Sequence, residues 1–383
     1  MLEKKNITII TRHYPPNKNI NGILACEMAH YLETEHNSTV TILCMDTTAS
    51  GNKKSVEPAG NVIQLKSYFK KENNFSKLFA IINEGYRLVK KAKEIESDLI
   101  ICSTSPPLLP FWASVLFKKK NNWALWSLDL FPEMFLANNQ LKESSFLYKF
   151  LFNKTYKNAP NHLIALGNQQ AKHLIEKYKK AIPTLILPAG VVLNQETEKE
   201  TAPPSWYDST KITLGYFGNT GIAHNPSFIE KSIELAQAHN FKFVLATYGV
   251  HAERVKSFAK NFSCVEHIEN GLPQEHLAYI DVHLVSLKST FTHSAVPSKA
   301  VTAISCGRPI LFCGNEDSDN WDMLQKAGWL IEEEQPLEKQ LNLFFDTVSK
   351  ELILEKSDLT SSIYSKLQAQ VKDTYSNIKT LTQ

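Results

Sequence analysis

Asp129 stands immediately beyond the apolar run Trp123-Ala124-Leu125-Trp126-Ser127-Leu128. In an open α/β sheet, side chains just past a strand face the central crevice. A carboxylate there can take the proton of an attacking hydroxyl or orient it by hydrogen bonding. The same residue can instead form the turn or cap ahead of Phe131-Pro132-Glu133. Glu133 is a second candidate for the same work. His13, which follows the first apolar run, can touch an acceptor, and its neighbour Arg12 can meet a phosphate; a solvated loop histidine is the plainer alternative. Asp129 is therefore assigned as catalytic, with His13 and Glu133 as acceptor-binding.

Three glycine- or proline-marked segments suit a phosphate or a sugar. Asn21-Gly22 lies at the start of a helical pattern after Thr11 to Pro16, where a glycine lets backbone approach a ligand and free helix N–H groups favour phosphate. A simple strand-to-helix turn has the same spacing. Gly218-Asn219-Thr220-Gly221 repeats the arrangement, before a helix near Asn225-Pro226; two glycines around small polar side chains allow close contact with phosphate or sugar. Pro297-Ser298-Lys299 reads as a helix opening, with Thr302 one turn on and Gly307-Arg308-Pro309 leading into a strand. Lys299 places an ammonium beside a helix start, where an anion is favoured, against the alternative of a solvated surface lysine. Thr302 is expected to give at most a hydroxyl bond to a sugar or ribose. The expected phosphate- and sugar-binding set is thus Gly22, Gly218, Asn219, Thr220, Gly221, Pro297, Ser298, Lys299 and Thr302.

These residues need rigid elements to hold them. Short β-branched runs at 7–11, 39–45, 62–65, 99–103, 123–128, 162–165 and 184–187 alternate with helical stretches at 22–35, 75–95 and 168–179, the signature of a parallel sheet covered by helices. Residues 194–211 turn polar and proline-containing, without either periodicity, and read as a linker. Alternation then restarts with strands at 212–217, 241–247, 264–268, 282–287, 309–312 and 329–331. The expected domains are 1–193 and 212–354, followed by a helix over 355–383 that belongs to the second domain or packs back on the first.

The chain has 383 residues, 43% hydrophobic and 21% charged, long enough for two cores and too apolar for disorder. A net charge of +3 argues against a nucleic-acid partner. The six cysteines have no metal-ligand spacing and read as reduced thiols. The longest apolar stretch, 106–117, contains three prolines and is shorter than the ~20 residues of a spanning helix. The opening residues lack a signal-peptide pattern, so a cytoplasmic location is expected. Basic and apolar residues mix over 69–93 and 117–120 and near Trp112 and Trp123. Such a surface suits anionic lipid, with an ordinary amphipathic helix as the alternative.

With these motifs in order, the chain resembles the GT-B glycosyltransferases of glycosyltransferase family four, especially bacterial cell-surface polysaccharide enzymes. The likeness rests on the TRHYPP…NG opening, on Asp129 to Glu133 in the middle and on the late VPSK…GRPI segment. The resemblance implies two Rossmann-like domains facing across a cleft, with the acceptor on the first and a nucleotide-sugar donor, expected to be a UDP-sugar, on the second. It also implies transfer with retention of anomeric configuration to a saccharide or lipid-linked saccharide, with no metal or other cofactor. Two departures stand out. The family's pair of glutamates falls at Ser294 and Thr302, and its Arg and Lys near the donor diphosphate fall at Asn219 and His224; Lys299 is expected to replace that basic pair. A nucleotide-sugar epimerase and a non-catalytic nucleotide-sugar-binding protein of the same fold are the alternatives.

Overall fold

The computed structural model describes residues 4–17, 19–46, 56–68, 74–193, 202–269 and 271–382. The chain divides into two units, the first made of residues 1–188 and 370–383 and the second of residues 189–369.

In the first unit, β1 (Asn6–Ile10), β2 (Thr39–Asp46), β3 (Asn61–Lys66), β4 (Leu99–Ser103), β5 (Trp123–Trp126), β6 (His162–Ala165) and β7 (Thr184–Ile186) form one parallel sheet in the order β3-β2-β1-β4-β5-β6-β7. Its helices are α1 (Ile20–Thr34), α2 (Asn74–Ala92), α3 (Leu109–Leu116), α4 (Glu133–Ala137), α5 (Phe146–Thr155) and α6 (Asn168–Tyr178). Every residue of β4 and β5 is buried, as expected of central parallel strands covered on both faces. The order reverses at β1 and β4, so the loops after these strands and after β5 open on the crevice where such sheets take ligands.

The second unit repeats the plan. Strands β8 (Thr213–Asn219), β9 (Lys242–Tyr248), β10 (Val265–His267), β11 (Val282–Ser286), β12 (Ile310–Gly314) and β13 (Gly328–Glu332) form a parallel sheet in the order β10-β9-β8-β11-β12-β13, reversing at β8 and β11. They alternate with α7 (Pro226–Ala238), α8 (Ala252–Ala259), α9 (Lys299–Ser305), α10 (Asp319–Leu324) and α11 (Leu337–Thr347). Asn225 caps α7 by accepting from the Phe228 N–H, and Pro226 fills the first turn, where a missing N–H costs nothing.

The thirteen expected strands are all present, their ends within two residues of those expected. Residues 194–201 of the expected linker lie outside the described residues, and 202–211 are counted with the second unit, where Trp206 packs with Val244 and Ile280. The last helix, α12 (Lys350–Ile378), starts in the second unit, and its residues from Gln370 belong to the first. There Tyr375 is buried with its ring 5.3 Å from that of Tyr31, Thr374 Oγ1 donates to the Ile186 carbonyl at 2.5 Å, and Asn122 Nδ2 donates to the Leu381 carbonyl at 2.6 Å. No described helix is long and apolar enough to cross a membrane.

Candidate active site

On the first unit, the segment that carries Asp129 is held from below. Gln170, buried on α6, accepts from Ser127 Oγ at 2.7 Å and from the Leu166 N–H at 3.0 Å, and its amide donates to the Leu128 carbonyl at 3.1 Å. The Leu128 N–H donates to Thr104 Oγ1 at 3.0 Å. With Leu128 and Leu130 buried on either side, Asp129 is turned outward. The residue as a whole is exposed, yet the protein crowded around its carboxyl removes enough water to raise its pKa to about 6. A carboxylate in that range is a competent general base near neutral pH.

The other first-unit candidates are engaged inside the fold. Glu133 opens α4, and its Oε1 accepts from Tyr156 Oη at 2.5 Å. Burial raises its pKa, partly offset by that hydrogen bond. Glu133, expected to touch the acceptor, thus has one carboxyl oxygen engaged inside the fold. Arg12, expected to meet a phosphate, pairs at 2.9 Å with the buried carboxylate of Glu84, which also accepts from Ser67 Oγ at 2.6 Å. Burial, then the Arg12 charge, lowers the His13 pKa to about 4, so its ring is neutral at physiological pH. Gly22 is buried in the first turn of α1, and a Cβ there would lie 2.8 Å from the His13 carbonyl oxygen. What approaches this glycine is the chain's own loop, which explains its presence without a phosphate.

On the second unit, Lys299 is the organising cation. Its Nζ donates to Tyr216 Oη at 2.8 Å and to the Asn219 carbonyl at 3.0 Å, and lies 4.2 Å from the Tyr216 ring centroid. Tyr216 Oη in turn donates to the same Asn219 carbonyl at 3.1 Å. Burial lowers the Lys299 pKa to about 7. The ammonium therefore sits against the end of β8, with no carboxylate among these partners. Gly218 and Asn219 prolong β8 rather than opening a loop, and Gly218 takes φ +88° with open space where a side chain would be. The Asn219 side chain lies against two glycines: a Cβ at Gly221 would be 3.1 Å from its Nδ2, and one at Gly249 2.0 Å from its Oδ1.

Several expected ligand contacts are occupied. The Thr220 hydroxyl is buried against that of Thr247, while its backbone N–H donates to the Tyr248 carbonyl at 2.7 Å. Thr302 Oγ1 donates to the Ser298 carbonyl at 3.2 Å, a bond within its own helix. Ser298 offers no side-chain cap to α9 and packs against Gly190, and the Pro297 carbonyl accepts from Asn320 Nδ2 at 3.0 Å. His224 is buried with Nδ1 2.5 Å from the Ser286 carbonyl. Burial, then the charge of Lys299, lowers its pKa to about 3, so it brings no positive charge.

Sequence reading overlooked Lys288. Its backbone N–H donates to the Ala223 carbonyl at 2.8 Å, and its charge adds to burial, the main cause, in lowering the pKa of both His224 and His251. It follows β11 as Asp129 follows β5, which was the available signal. Glu333 was missed as well. It ties the two loops together by accepting from Asn225 Nδ2 at 3.0 Å and from Ser289 Oγ at 3.0 Å.

Two parallel sheets that each reverse at their centre invite comparison with known architectures. A trehalose-6-phosphate structure from E. coli bound with UDP-2-fluoro glucose superposes with a TM-score of 0.66 and 10% identity, covering 99% of both chains. WaaG, a glycosyltransferase involved in lipopolysaccharide biosynthesis, gives 0.64 at 14% identity, over 96% of this chain and 98% of its own. The fold is GT-B. No protein-family model matches the sequence. The probable glycosyltransferase WbjE of Pseudomonas aeruginosa is 26% identical over 252 residues, which cover 62% of this chain and 62% of that protein. Within the GT-B plan, Lys299 and the end of β8 lie on the second unit, and Asp129 on the first.

Proposed function

We propose that the chain is a glycosyltransferase whose second unit holds the diphosphate of a nucleotide-sugar, a UDP-sugar, at the end of β8. The observation that carries this reading is the Lys299 ammonium fixed between Tyr216 and the Asn219 carbonyl. Such a preorganised cation stabilises a diphosphate most where its charge grows, as the sugar–oxygen bond breaks. The likeness to WbjE and the GT-B fold support the same class of reaction. In this reading Asp129 takes the proton of, or orients, the hydroxyl of a saccharide or lipid-linked saccharide. Transfer proceeds with retention, in cell-surface polysaccharide synthesis, at the cytoplasmic face of a membrane.

A second reading, a nucleotide-sugar-binding protein without turnover, draws on Ser294 and Thr302 at the positions of the family's glutamates. Ser294 is buried with Oγ donating to the Phe291 carbonyl at 3.3 Å, and the Thr302 hydroxyl is bonded within α9. Thermal unfolding with uridine, guanosine and adenosine diphosphates and their sugars tests donor binding. At a hundredfold excess over Kd a ligand stabilises by about 2.7 kcal/mol. No shift with any of them rejects both readings. A shift without UDP release, across a panel of saccharide and lipid-linked acceptors, selects the second.

A further inference from the structure

Helix α5 has two apolar faces. Tyr148, Leu151 and Thr155 point into the first unit, while Phe146 is 85% exposed, Leu147 52% and Phe150 41%. One exposed apolar side chain needs no explanation. These belong to a longer series: ring centroids run from Tyr86 on α2 to Trp112 at 5.1 Å, on to Phe111 at 5.0 Å, to Phe150 at 6.1 Å and to Phe146 at 6.4 Å. The series crosses three helices and emerges at the surface at Phe146. Phe111 is buried, so the exposed part at this end is Phe146, Leu147 and Phe150, anchored on that series, and an exposed apolar patch rimmed by charge marks an interaction surface.

The rim is basic. Lys142, Lys149 and Lys157 are exposed around α5, and Lys154 Nζ stands 5.9 Å from the Phe150 ring centroid, against the single carboxylate of Glu143 in this stretch. In a two-fold contact between copies the same lysines would face one another, so like charge opposes a dimer through this face. Anionic headgroups complement it, and aromatic and aliphatic side chains with flanking lysines are what the bilayer interface accepts. We infer that the α5 face docks the first unit on an anionic lipid bilayer, with Phe146, Leu147 and Phe150 entering the interface and the lysines meeting lipid phosphate. The series starts in a stretch expected from sequence, at Tyr86, and passes Trp112, whose indole donates to the Ile82 carbonyl at 2.7 Å, while Phe146, Leu147 and Phe150 lie outside those stretches. Of the expected residues, 69–73 lie outside the described residues, and Trp123 and Phe117 are buried in the core.

The inference deepens the membrane-face reading above and rests on that part of it, not on the donor. The test is co-sedimentation of the full chain with vesicles of phosphatidylethanolamine and phosphatidylglycerol, against phosphatidylcholine alone. The expected result is preference for the anionic vesicles, weakened by salt. Phe146→Ser with Leu147→Ser should lower partitioning by about tenfold or more, and Lys142→Ala with Lys149→Ala should lower it less while flattening the salt dependence. All four side chains are exposed, so circular dichroism should be unchanged. Equal binding by the Phe146/Leu147 variant, or no anionic preference in the parent, overturns the inference. So does a concentration-dependent dimer that the same variant abolishes, which would give the face to a second copy. UDP-induced thermal shifts on the same preparations report on the second unit alone, so the two readings fail independently.

Discussion

An amine held between a phenol and a carbonyl, with its pKa brought down to about 7, attracts an anion only when protonated. Binding of a diphosphate must raise that pKa, so UDP binding should take up a proton above neutral pH and weaken as pH rises through about 7. Calorimetry at pH 8 in two buffers of different ionisation enthalpy checks the uptake. Lys299→Met should abolish it and weaken UDP binding by roughly 10- to 100-fold, the worth of a hydrogen bond to a charged group. Asp129 has the opposite arithmetic. Its folded pKa, about 6, lies above the ordinary 3.8, so the native state holds the extra proton between these values and loses stability as pH rises through them. Asp129→Asn should therefore raise Tm by ~1–3 °C at pH 7.5 while lowering turnover at least a hundredfold. The parent's turnover should climb as pH rises through about 6. Unchanged turnover in the variant would make Asp129 a turn residue. Both residues are open to sequence reading as candidates because each follows a recognisable strand end or helix opening. The engagement of Glu133, Thr220 and Thr302 is not, because an internal partner, as distant as Tyr156 or Thr247 or as near as the Ser298 carbonyl, decides whether a polar side chain is free.

Elements place these residues through contacts that are close and few. The first turn of α1 lies so near the loop after β1 that Gly22 has no room for a methyl group. Gly22→Ala should cost about 1–3 kcal/mol by overpacking, read as a lower urea midpoint with an unchanged slope. UDP affinity should stay the same, whereas a phosphate-binding glycine would show the reverse. Strand existence was open to sequence reading because buried parallel strands are nearly continuous apolar runs, as in β4 and β12. Strand ends were harder. Residues Gly218 and Asn219 look like turn formers, and only pairing with Thr247 and Tyr248 keeps them in β8. The outward face of α5 gave no periodic signal, since a helix apolar on both sides lacks one.

At the scale of the molecule, the first unit is built from both chain ends. Tyr375, Ile378 and Leu381 complete its core. Tyr375→Ala should cost about 3–5 kcal/mol, as for other large buried aromatics, in the unfolding step that denatures the first unit. A loss confined to the second unit's transition would show that the helix end belongs there instead. Sequence periodicity gave the helix over 355–383 but left its partner open, because amphipathicity names a face and not what covers it. The same arrangement sets the order of synthesis. The chain leaves the ribosome from its N-terminus, so the seven-stranded sheet is made long before the segment that closes it, which follows about 180 residues later, a delay of roughly 10–35 s at ordinary elongation rates. Until then the nascent first unit exposes the groove that Tyr375 will fill, making this the stage at which a chaperone that recognises apolar surface has its target.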